Sequence, residues 1–557
     1  MLCLFLILIY SAVSIVTLIL PKLLHLAQKR HNTFIMLLSL MSIVLGLKVL
    51  VKFPILIYGF VLTGGDESYE INAIKLLYRF NTLKPELIDV NRRSLEYLNF
   101  PFSHLQWYVY TKITNLKLEM LPVFVPAFIN FLILLILIGP SMKVSFTHLK
   151  MHMLIVATTL LFMGYSGFFW NFFVRETYGA LFGLLILYLV LFRHEISKTS
   201  SYYVLIVLFT IALVRGHFAT SVFIILILSL VSMIISRNVS SNKDEFRNKI
   251  RHNATTSLLV LVIIFLTSII TDIFWLGYFA RWLQIVYQSF ASTELLELKQ
   301  FSSSITGIGI KLALFERLLI YLHYVGIILL CSLSTKMIIH SSASNSYSKG
   351  FLLNLITLPI LYFLLIFAGR VIFLEFETRY AFLRFSSWIM LLWYWMIILN
   401  LRTINFKTIQ FPAKLAKGKY SIKSWYYYLS LSLVLSSILL GNLAHYPYTL
   451  KYDLPKSNPY IVSQYIEKCM PSESRYVLVF LLDNYWASLL DSYQVSRPHA
   501  IAIYNPELNR LFIVKSIENF HKLPKIYVGY IGIVRINDFS DNFNYIYVDN
   551  ATVLGIK

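Results

Sequence analysis

Long apolar runs are the feature that most constrains how this sequence can fold. Runs 2–20 and 351–367 contain no charged residue, and run 258–276 contains only Asp272. Each has about the 20 residues that a helix needs to cross the hydrocarbon core of a bilayer. Because that core offers the backbone no hydrogen-bond partners, such segments are expected to be helical. The sequence therefore predicts a polytopic membrane protein.

About twelve apolar runs are expected to cross the membrane, and together they predict a transmembrane helical domain over residues 1–443. The predicted spans are 2–20, 34–63, 120–138, 152–172, 177–192, 202–214, 217–236, 255–276, 316–334, 351–370, 380–400 and 427–443. Run 34–63 is too long for one straight helix, so it is interpreted as a tilted helix or as a helix followed by a re-entrant piece. The first run lacks a basic start, so a retained helix is expected rather than a signal peptide.

The charges between the runs predict which loops face the cytoplasm. The chain is 58% hydrophobic and 14% charged, with a net charge of +22, but its basic residues form no single patch, which argues against nucleic-acid binding. About twenty Lys and Arg, against three acids, lie in loops 21–32, 140–151, 193–201, 237–253, 335–350 and 401–426. By the positive-inside bias these loops are cytoplasmic. Loops 64–119, 277–315 and 371–379 are then non-cytoplasmic, as are both termini.

The composition changes after residue 443. Residues 444–557 have ordinary polarity, with helix-like stretches at 460–468 and 485–492. Short β-rich runs occur at 476–482, 500–503, 511–514, 526–528 and 545–548. The expected fold is therefore mainly α, a polytopic helical bundle followed by a small extracytoplasmic α/β domain.

An acidic pair follows the second apolar run, in segment 63–70 with the sequence TGGDESYE. Its two glycines release the chain from the helix and leave Asp66 and Glu67 at the predicted outer surface. A carboxylate in that position can act as a general base. Alternatively, the two acids are the solvated start of a loop near a helix N-terminus.

An acidic pair in the first large outer loop resembles the signature of GT-C-type glycosyltransferases, which take a sugar from a polyprenyl-phosphate carrier. Segment 101–105 (PFSHL) resembles a Pro-containing segment of that family. Segment 173–179 (FVRETYG) resembles an outer Arg–Glu turn of its archaeal and bacterial members. Residues 444–557 lack the Trp-Trp-Asp-type motif of oligosaccharyltransferases, so that branch is not expected.

The resemblance implies roles for individual residues. Asp66 would deprotonate the acceptor hydroxyl, and Glu67 would be the second choice or would orient the acceptor. The leaving lipid phosphate requires cations at the membrane edge. The candidates for binding it are Arg175, Arg215, His217, Arg370 and Arg379, and the candidates for acceptor or sugar contacts are His104, Trp107 and Tyr108.

Several of these candidates also have a structural interpretation. Arg370 and Arg379 lie close enough to Glu375 and Glu377 to be neutralised by them, whereas Arg215 has no acid near it in sequence. Lone histidines such as His104 and His217 are commonly structural. Asp272 is a weaker candidate, for the site or for a helix cap, and Arg384 is another cation at the predicted outer edge.

No metal or cofactor is firmly implied. Ser68 occupies the third position of what would be an Asp-x-Asp motif, so this segment gives no support for a divalent metal site, and whether a metal is needed stays open. Cys3, Cys331 and Cys469 lie far apart in the sequence, which supports neither a disulfide framework nor a Cys-based metal site.

The expected partners are a polyprenyl-phosphate sugar donor, membrane lipid, and an acceptor that is a lipid, a glycan or a protein. The alternative function is a lipid-linked saccharide flippase or a secondary transporter without bond chemistry, and a third is a non-catalytic scaffold. A transporter predicts charges at mid-membrane and helices broken by Gly or Pro. The charges here collect at the predicted outer edge, which favours the enzyme.

Overall fold

A computed structural model describes the helical core of the chain and short strands near its C-terminus. The described residues are 70–71, 73–75, 77–78, 100–116, 118–142, 144, 147–162, 173–192, 199–238, 244–291, 314–341, 349–369 and 376–403, with the strand residues named below. The predicted spans 2–20, 34–63 and 427–443 lie outside these residues, and so do Asp66, Glu67 and Arg370.

Every predicted span that falls on described residues contains a helix. The helices are α1 (Pro101–Thr114), α2 (Leu121–Ser141), α3 (Thr147–Phe162), α4 (Arg175–Phe192), α5 (Thr199–Gly216), α6 (Phe218–Asn238), α7 (Asp244–Thr271), α8 (Ile273–Ala291), α9 (Leu314–Ser341), α10 (Lys349–Phe367) and α11 (Phe376–Thr403). A 3-10 turn, Leu118–Met120, precedes α2. The described residues of 70–78 are also helical. The prediction of a mainly α protein is confirmed for this part of the chain.

Within the described residues, five helices contain a stretch long and apolar enough to cross a membrane. These stretches are Phe124–Ser141, Arg175–Phe192, Asn248–Thr271, Tyr321–Ile338 and Ala381–Leu401. Three shorter apolar helices are Ser200–Gly216, Phe218–Ile234 and Leu353–Phe367. These helices support a membrane protein, while the count of twelve spans and the side on which each terminus lies stay predictions.

By contacts, the chain divides into two compact units. The first unit contains the described residues of Pro126–Asn171 and Glu176–Tyr446. The second contains the described residues of Val51–Val125, Phe172–Arg175 and Pro447–Lys557. The predicted division into a transmembrane domain, 1–443, and a C-terminal domain, 444–557, stays a prediction.

Helix α11 lies in the core of the first unit. Almost every residue from Ser386 to Leu401 is buried, and 83% of its apolar stretch lies inside the protein. Its polar groups are bonded to other helices: the Trp393 indole N–H donates to the Leu355 carbonyl at 3.1 Å. The Tyr394 hydroxyl donates to the Leu137 carbonyl at 2.9 Å. A helix apolar on all sides is stable when it is surrounded in this way.

Two glycines allow α4 to approach α6 and α11 closely. A Cβ atom added at Gly179 would lie 2.7 Å from the His217 Cβ, and one at Gly183 would lie 2.9 Å from both Ile224 Cδ1 and Trp388 Cη2. The two glycines are four residues apart, so they lie on the same face of α4. Small residues at this spacing let helix backbones approach closely in membrane proteins.

The predicted span 255–276 differs from the structure at its C-terminal end. Helix α7 ends at Thr271, and a separate helix, α8, begins at Ile273 with only Asp272 between them. Helix α8 occupies residues 277–291 of the region 277–315, which was expected to be an outer loop. The apolar run continues through Asp272, so periodicity in the sequence did not reveal the break.

The strands near the C-terminus form four two-stranded ladders. The strands are β1 (Tyr476–Val477), β2 (Gln494–Val495), β3 (Ile501–Asn505), β4 (Arg510–Val514), β5 (Tyr527–Val528), β6 (Gly532–Ile533), β7 (Asn544–Val548) and β8 (Val553–Ile556). Strands β1 and β2 pair in parallel, and the other three pairs are antiparallel. Five of the strands fall on the predicted β-rich runs. The α/β domain itself stays a prediction, because the helix-like stretches 460–468 and 485–492 lie outside the described residues.

We predict that Gly183→Ala destabilises the protein, because the new methyl group would overlap Ile224 and the buried ring of Trp388. Overpacking of this kind costs about 1–3 kcal/mol. Gly139→Ala in α2 is the matched control, since nothing lies within 4 Å of a Cβ atom there. Thermal melting of both variants in the same detergent should show a lower midpoint for Gly183→Ala only. Equal midpoints would contradict the close packing of α4.

Candidate functional site

A buried carboxylate, that of Glu70, is the centre of the candidate site. Glu70 lies in the helical segment 70–78, where the spacing places it on one face with Ala73, Ile74 and Leu77. All four are buried, and Glu70 is only 3% exposed. A charged group on an apolar face is unfavourable unless it is paired or hydrogen-bonded. The geometry around Glu70 supplies two such partners, both from the second unit.

The first partner is His104 in α1. This helix begins at Pro101, at a position where proline needs no N–H, and its buried face carries His104, Trp107 and Thr111 at helical spacing. The His104 Nε2 atom makes a short contact with Glu70 Oε2, and its Nδ1 atom bonds the Phe100 carbonyl at 3.1 Å. His104 is 1% exposed.

These two bonds determine where a proton must lie. The carbonyl of Phe100 can only accept, so His104 Nδ1 carries a hydrogen. The Nε2–Oε2 contact then requires a second proton between the ring and the carboxyl group of Glu70. The pair therefore holds an imidazolium with a carboxylate, or a neutral imidazole with a protonated carboxyl group. Either form is an acid–base pair sheltered from water.

The second partner is the first residue of α4. The Arg175 backbone N–H donates to Glu70 Oε1 at 3.0 Å, and the Arg175 Nε atom lies 3.8 Å from the same oxygen. The N-terminal N–H groups of a helix have no acceptor within the helix and carry partial positive charge, so a carboxylate there is stabilising. The Arg175 guanidinium also lies 4.4 Å from the centre of the Phe100 ring, in cation–π contact.

A second link joins segment 70–78 to α1. The Thr111 hydroxyl donates to the Trp107 carbonyl at 2.9 Å, so the Tyr78 hydroxyl is the donor in its 2.5 Å bond to Thr111 Oγ1. The Tyr78 ring also packs edge-on against Tyr108 at 4.9 Å. The segment that follows the acidic pair is therefore held against α1 at both ends.

The predicted sugar-contacting aromatic residues differ in exposure. Trp107 is only 8% exposed, and its ring packs against Tyr110 and Phe173 at 6.0 and 6.3 Å. Tyr108 is half-buried beside Tyr78. Of these two predicted residues, Tyr108 is the more exposed, and the Lys112 ammonium lies 5.7 Å from the centre of its ring.

Ion pairs account for two arginines of the first unit. Arg384 of α11 lies 2.7 Å from the buried Glu176 of α4. Arg215, which has no acid near it in sequence, lies 3.5 Å from Asp272, and its guanidinium is 5.9 Å from the Trp275 ring. Arg215 therefore has an ion-pair partner that is distant in sequence. Asp272 thereby has a partner as well as its place between α7 and α8.

His217 has a capping role. The Thr220 backbone N–H donates to His217 Nδ1 at 3.3 Å, and the Thr220 hydroxyl lies 2.7 Å from the same nitrogen. His217 immediately precedes α6, so its ring satisfies a donor at the start of that helix, as a capping side chain does. The geometry favours the structural alternative for this histidine.

The remaining predicted site residues are not described at the level of side chains. Asp66, Glu67 and Arg370 lie outside the described residues, and for Arg379 only the backbone, within α11, is described. Over the described part of the chain, no group of three His, Cys, Asp or Glu side chains is arranged to hold a metal ion.

Sequence reasoning missed Glu70, the residue that joins the cluster. Asp66 and Glu67 are adjacent and so form a recognisable acidic pair, whereas Glu70 is a single acid inside a helical pattern. The signal was nevertheless present, because Glu70 shares its helix face with Ala73, Ile74 and Leu77. An acid on an otherwise apolar face indicates a buried partner elsewhere in the chain.

No protein-family model matches the sequence, and no curated protein matches it either.

We predict that Glu70→Gln strongly destabilises the protein, because an amide cannot share a proton with His104 and leaves the Arg175 guanidinium without its carboxyl partner. Removing one partner of a buried ion pair costs about 3–5 kcal/mol. The control is Arg251→Gln, which removes an exposed charge on α7. Melting curves in detergent should show a large drop for Glu70→Gln and little change for the control. Similar midpoints would mean that the Glu70 carboxylate is not buried among these partners.

We also predict that the two ion pairs of the first unit differ in their contribution to stability. Glu176 is 8% exposed and Arg384 is 19% exposed, whereas Asp272 and Arg215 are 26% and 34% exposed. Exposed pairs contribute about 0–1 kcal/mol, so Asp272→Asn should change the melting midpoint little. Glu176→Gln should lower it clearly, since it leaves Arg384 without its carboxylate. The opposite ranking in a thermal melt would show that burial does not govern these pairs.

Proposed function

We propose that this chain is a GT-C-type glycosyltransferase that transfers a sugar from a polyprenyl-phosphate donor to an acceptor on the non-cytoplasmic face of a membrane. The observation that supports it best is the buried contact of Glu70 with His104 and Arg175. His104 and Arg175 belong to the two segments, 101–105 and 173–179, that resemble this family. Glu70 ends the segment that contains the acidic pair.

The proposed reaction is a displacement at the anomeric carbon. Asp66 accepts the proton of the acceptor hydroxyl as that oxygen bonds to the anomeric carbon, and the bond from this carbon to the phosphate oxygen breaks. The electron pair leaves with the lipid phosphate, which gains negative charge. Glu67 orients the acceptor or replaces Asp66 as base.

Arg175 is the cation that we assign to the leaving phosphate. Arginine carries five N–H donors in a rigid fork that matches phosphate geometry. Glu70 accepts from its backbone N–H and lies 3.8 Å from its Nε atom, and both contacts restrict where the guanidinium can lie. Cations that are already in place stabilise developing charge without reorganisation during the reaction. Arg215 belongs to a separate ion pair of the first unit, with Asp272, and is not part of the Glu70 cluster.

Glu70 and His104 are positioning residues in this proposal. They hold the start of α4, with Arg175, and the chain that follows Asp66 and Glu67. The proton between Glu70 and His104 gives each of these two buried groups a hydrogen-bond partner. Loss of either should misplace Arg175 and reduce transfer, even though neither residue touches the sugar.

The test uses purified protein in liposomes with a panel of radiolabelled polyprenyl-phosphate hexoses and pentoses and an extract of candidate lipid and glycan acceptors. Asp66→Asn should lower the transfer rate by about a hundred- to ten-thousand-fold, as loss of a positioned base does. Arg251→Gln should keep the full rate, because Arg251 is exposed on α7 and has no role in the proposed site. Full activity both in Asp66→Asn and in Glu67→Gln would remove the mechanism.

The transporter alternative makes a different prediction in the same liposomes. Movement of a fluorescent lipid-linked saccharide across the bilayer, with no sugar transferred, would support it over the enzyme. The described helices weigh against it, because α2 continues through Pro126 and α10 continues through Pro359. A transporter fold is expected to break its helices near such residues.

A further inference from the structure

Helix α8 begins where a predicted membrane span ends. The apolar stretch Asn248–Thr271 of α7 has 24 residues, which is about 36 Å of helix and enough to cross a bilayer. Only Asp272 separates Thr271 from the first residue of α8. If α7 crosses the membrane, α8 therefore starts at the membrane boundary, whichever side that is.

One face of α8 packs on α6 and α7 through aromatic rings. Trp275 is fully buried, and its ring lies 5.5 Å from Phe218 and 6.2 Å from Phe265. Phe279 and Trp282 contact Phe218 at 6.3 and 6.1 Å. Tilted and edge-to-face ring pairs at these distances are favourable beyond their buried area. This face fixes the position of α8 along the end of α7.

A second face of α8 is apolar and exposed. Leu276, Ala280, Leu283 and Tyr287 lie at successive spacings of four, three and four residues, which places them in one stripe along the helix. Leu276 is 52% exposed, Leu283 is 46% exposed and Tyr287 is 72% exposed. The aromatic contact of the first face does not cover this stripe.

A third face is polar. Positions 281, 284 and 288 carry Arg, Gln and Gln, and their spacing puts them on the side of the helix next to the exposed stripe. Helix α8 is not among the stretches apolar enough to cross a membrane. A helix with one lipid-compatible stripe and one polar face is of the kind that lies in the interface plane.

We propose that α8 lies along the membrane interface at the end of α7, with Leu276, Ala280, Leu283 and Tyr287 in contact with lipid. The exposed stripe faces the boundary between the lipid headgroups and the acyl chains. Two features support this placement: α8 directly follows the apolar stretch of α7, and it contains Trp and Tyr, which are types enriched at this depth. It holds for an enzyme or a transporter alike.

The test places single cysteines on α8 in a chain with Cys3, Cys331 and Cys469 replaced by Ala. Leu283→Cys reports on the exposed stripe, and Gln284→Cys, its exposed neighbour on the polar face, is the matched control. Each variant is labelled with an environment-sensitive fluorophore and reconstituted in phosphatidylcholine liposomes. Quenching is measured with lipids brominated near the headgroup, with lipids brominated deep in the acyl chain, and with aqueous iodide.

We expect the label at residue 283 to be quenched several-fold more strongly by shallow bromine than the label at 284, and the label at 284 to be quenched more strongly by iodide. Stronger quenching of 283 by deep bromine would overturn the proposal, because α8 would then insert into the bilayer core. Protection of 283 from all three quenchers would also overturn it, since protein would then cover the stripe. Tyr287→Cys repeats the measurement one turn further on and must give the same pattern.

Discussion

The buried carboxylate of Glu70 joins three parts of the chain that are far apart in sequence. It contacts His104 of α1 through one oxygen and the N-terminus of α4, at Arg175, through the other. Carboxylates taken out of water lose several kcal/mol of hydration, which only close and well-oriented partners can offset. The second unit can therefore bury Glu70 only while α1 and the start of α4 are in place, which gives this cluster a narrow range of allowed geometries.

The helices of the first unit are governed by a different constraint, the low polarity expected around them. Their backbone polar groups must be satisfied within helices, and their side-chain polar groups must find partners in the protein. The Trp393 and Tyr394 side chains of α11 meet this need by donating to carbonyls of neighbouring helices. The glycines of α4 contribute in another way, since they allow helix backbones to come within contact distance where larger side chains would keep them apart.

The positions of α2–α7 and α9–α11 could be predicted from the sequence, because each of these helices depends on a local apolar run. Arg175 and His104 were also predicted as site residues, from their segments' resemblance to a known family. Their meeting with Glu70 could not be predicted, because the pairing depends on how 70–78, α1 and α4 pack. The pairing of Arg215 with Asp272 was hidden for the same reason, since 56 residues lie between them in the chain. Helix α8 was missed because its first residues extend an apolar run, and only Asp272 marks the turn.

A double-mutant cycle on the free energy of unfolding tests most directly whether Glu70 and His104 form one buried pair. It compares Glu70→Gln, His104→Gln and the double variant with the parent chain in the same detergent. If the pair is real, the double variant should lose clearly less stability than the sum of the single variants, with a coupling in the range of about 0.5–3 kcal/mol that contacting residues show. Additive losses, with no coupling, would mean that the carboxylate and the imidazole do not interact, and the candidate site would lose its centre.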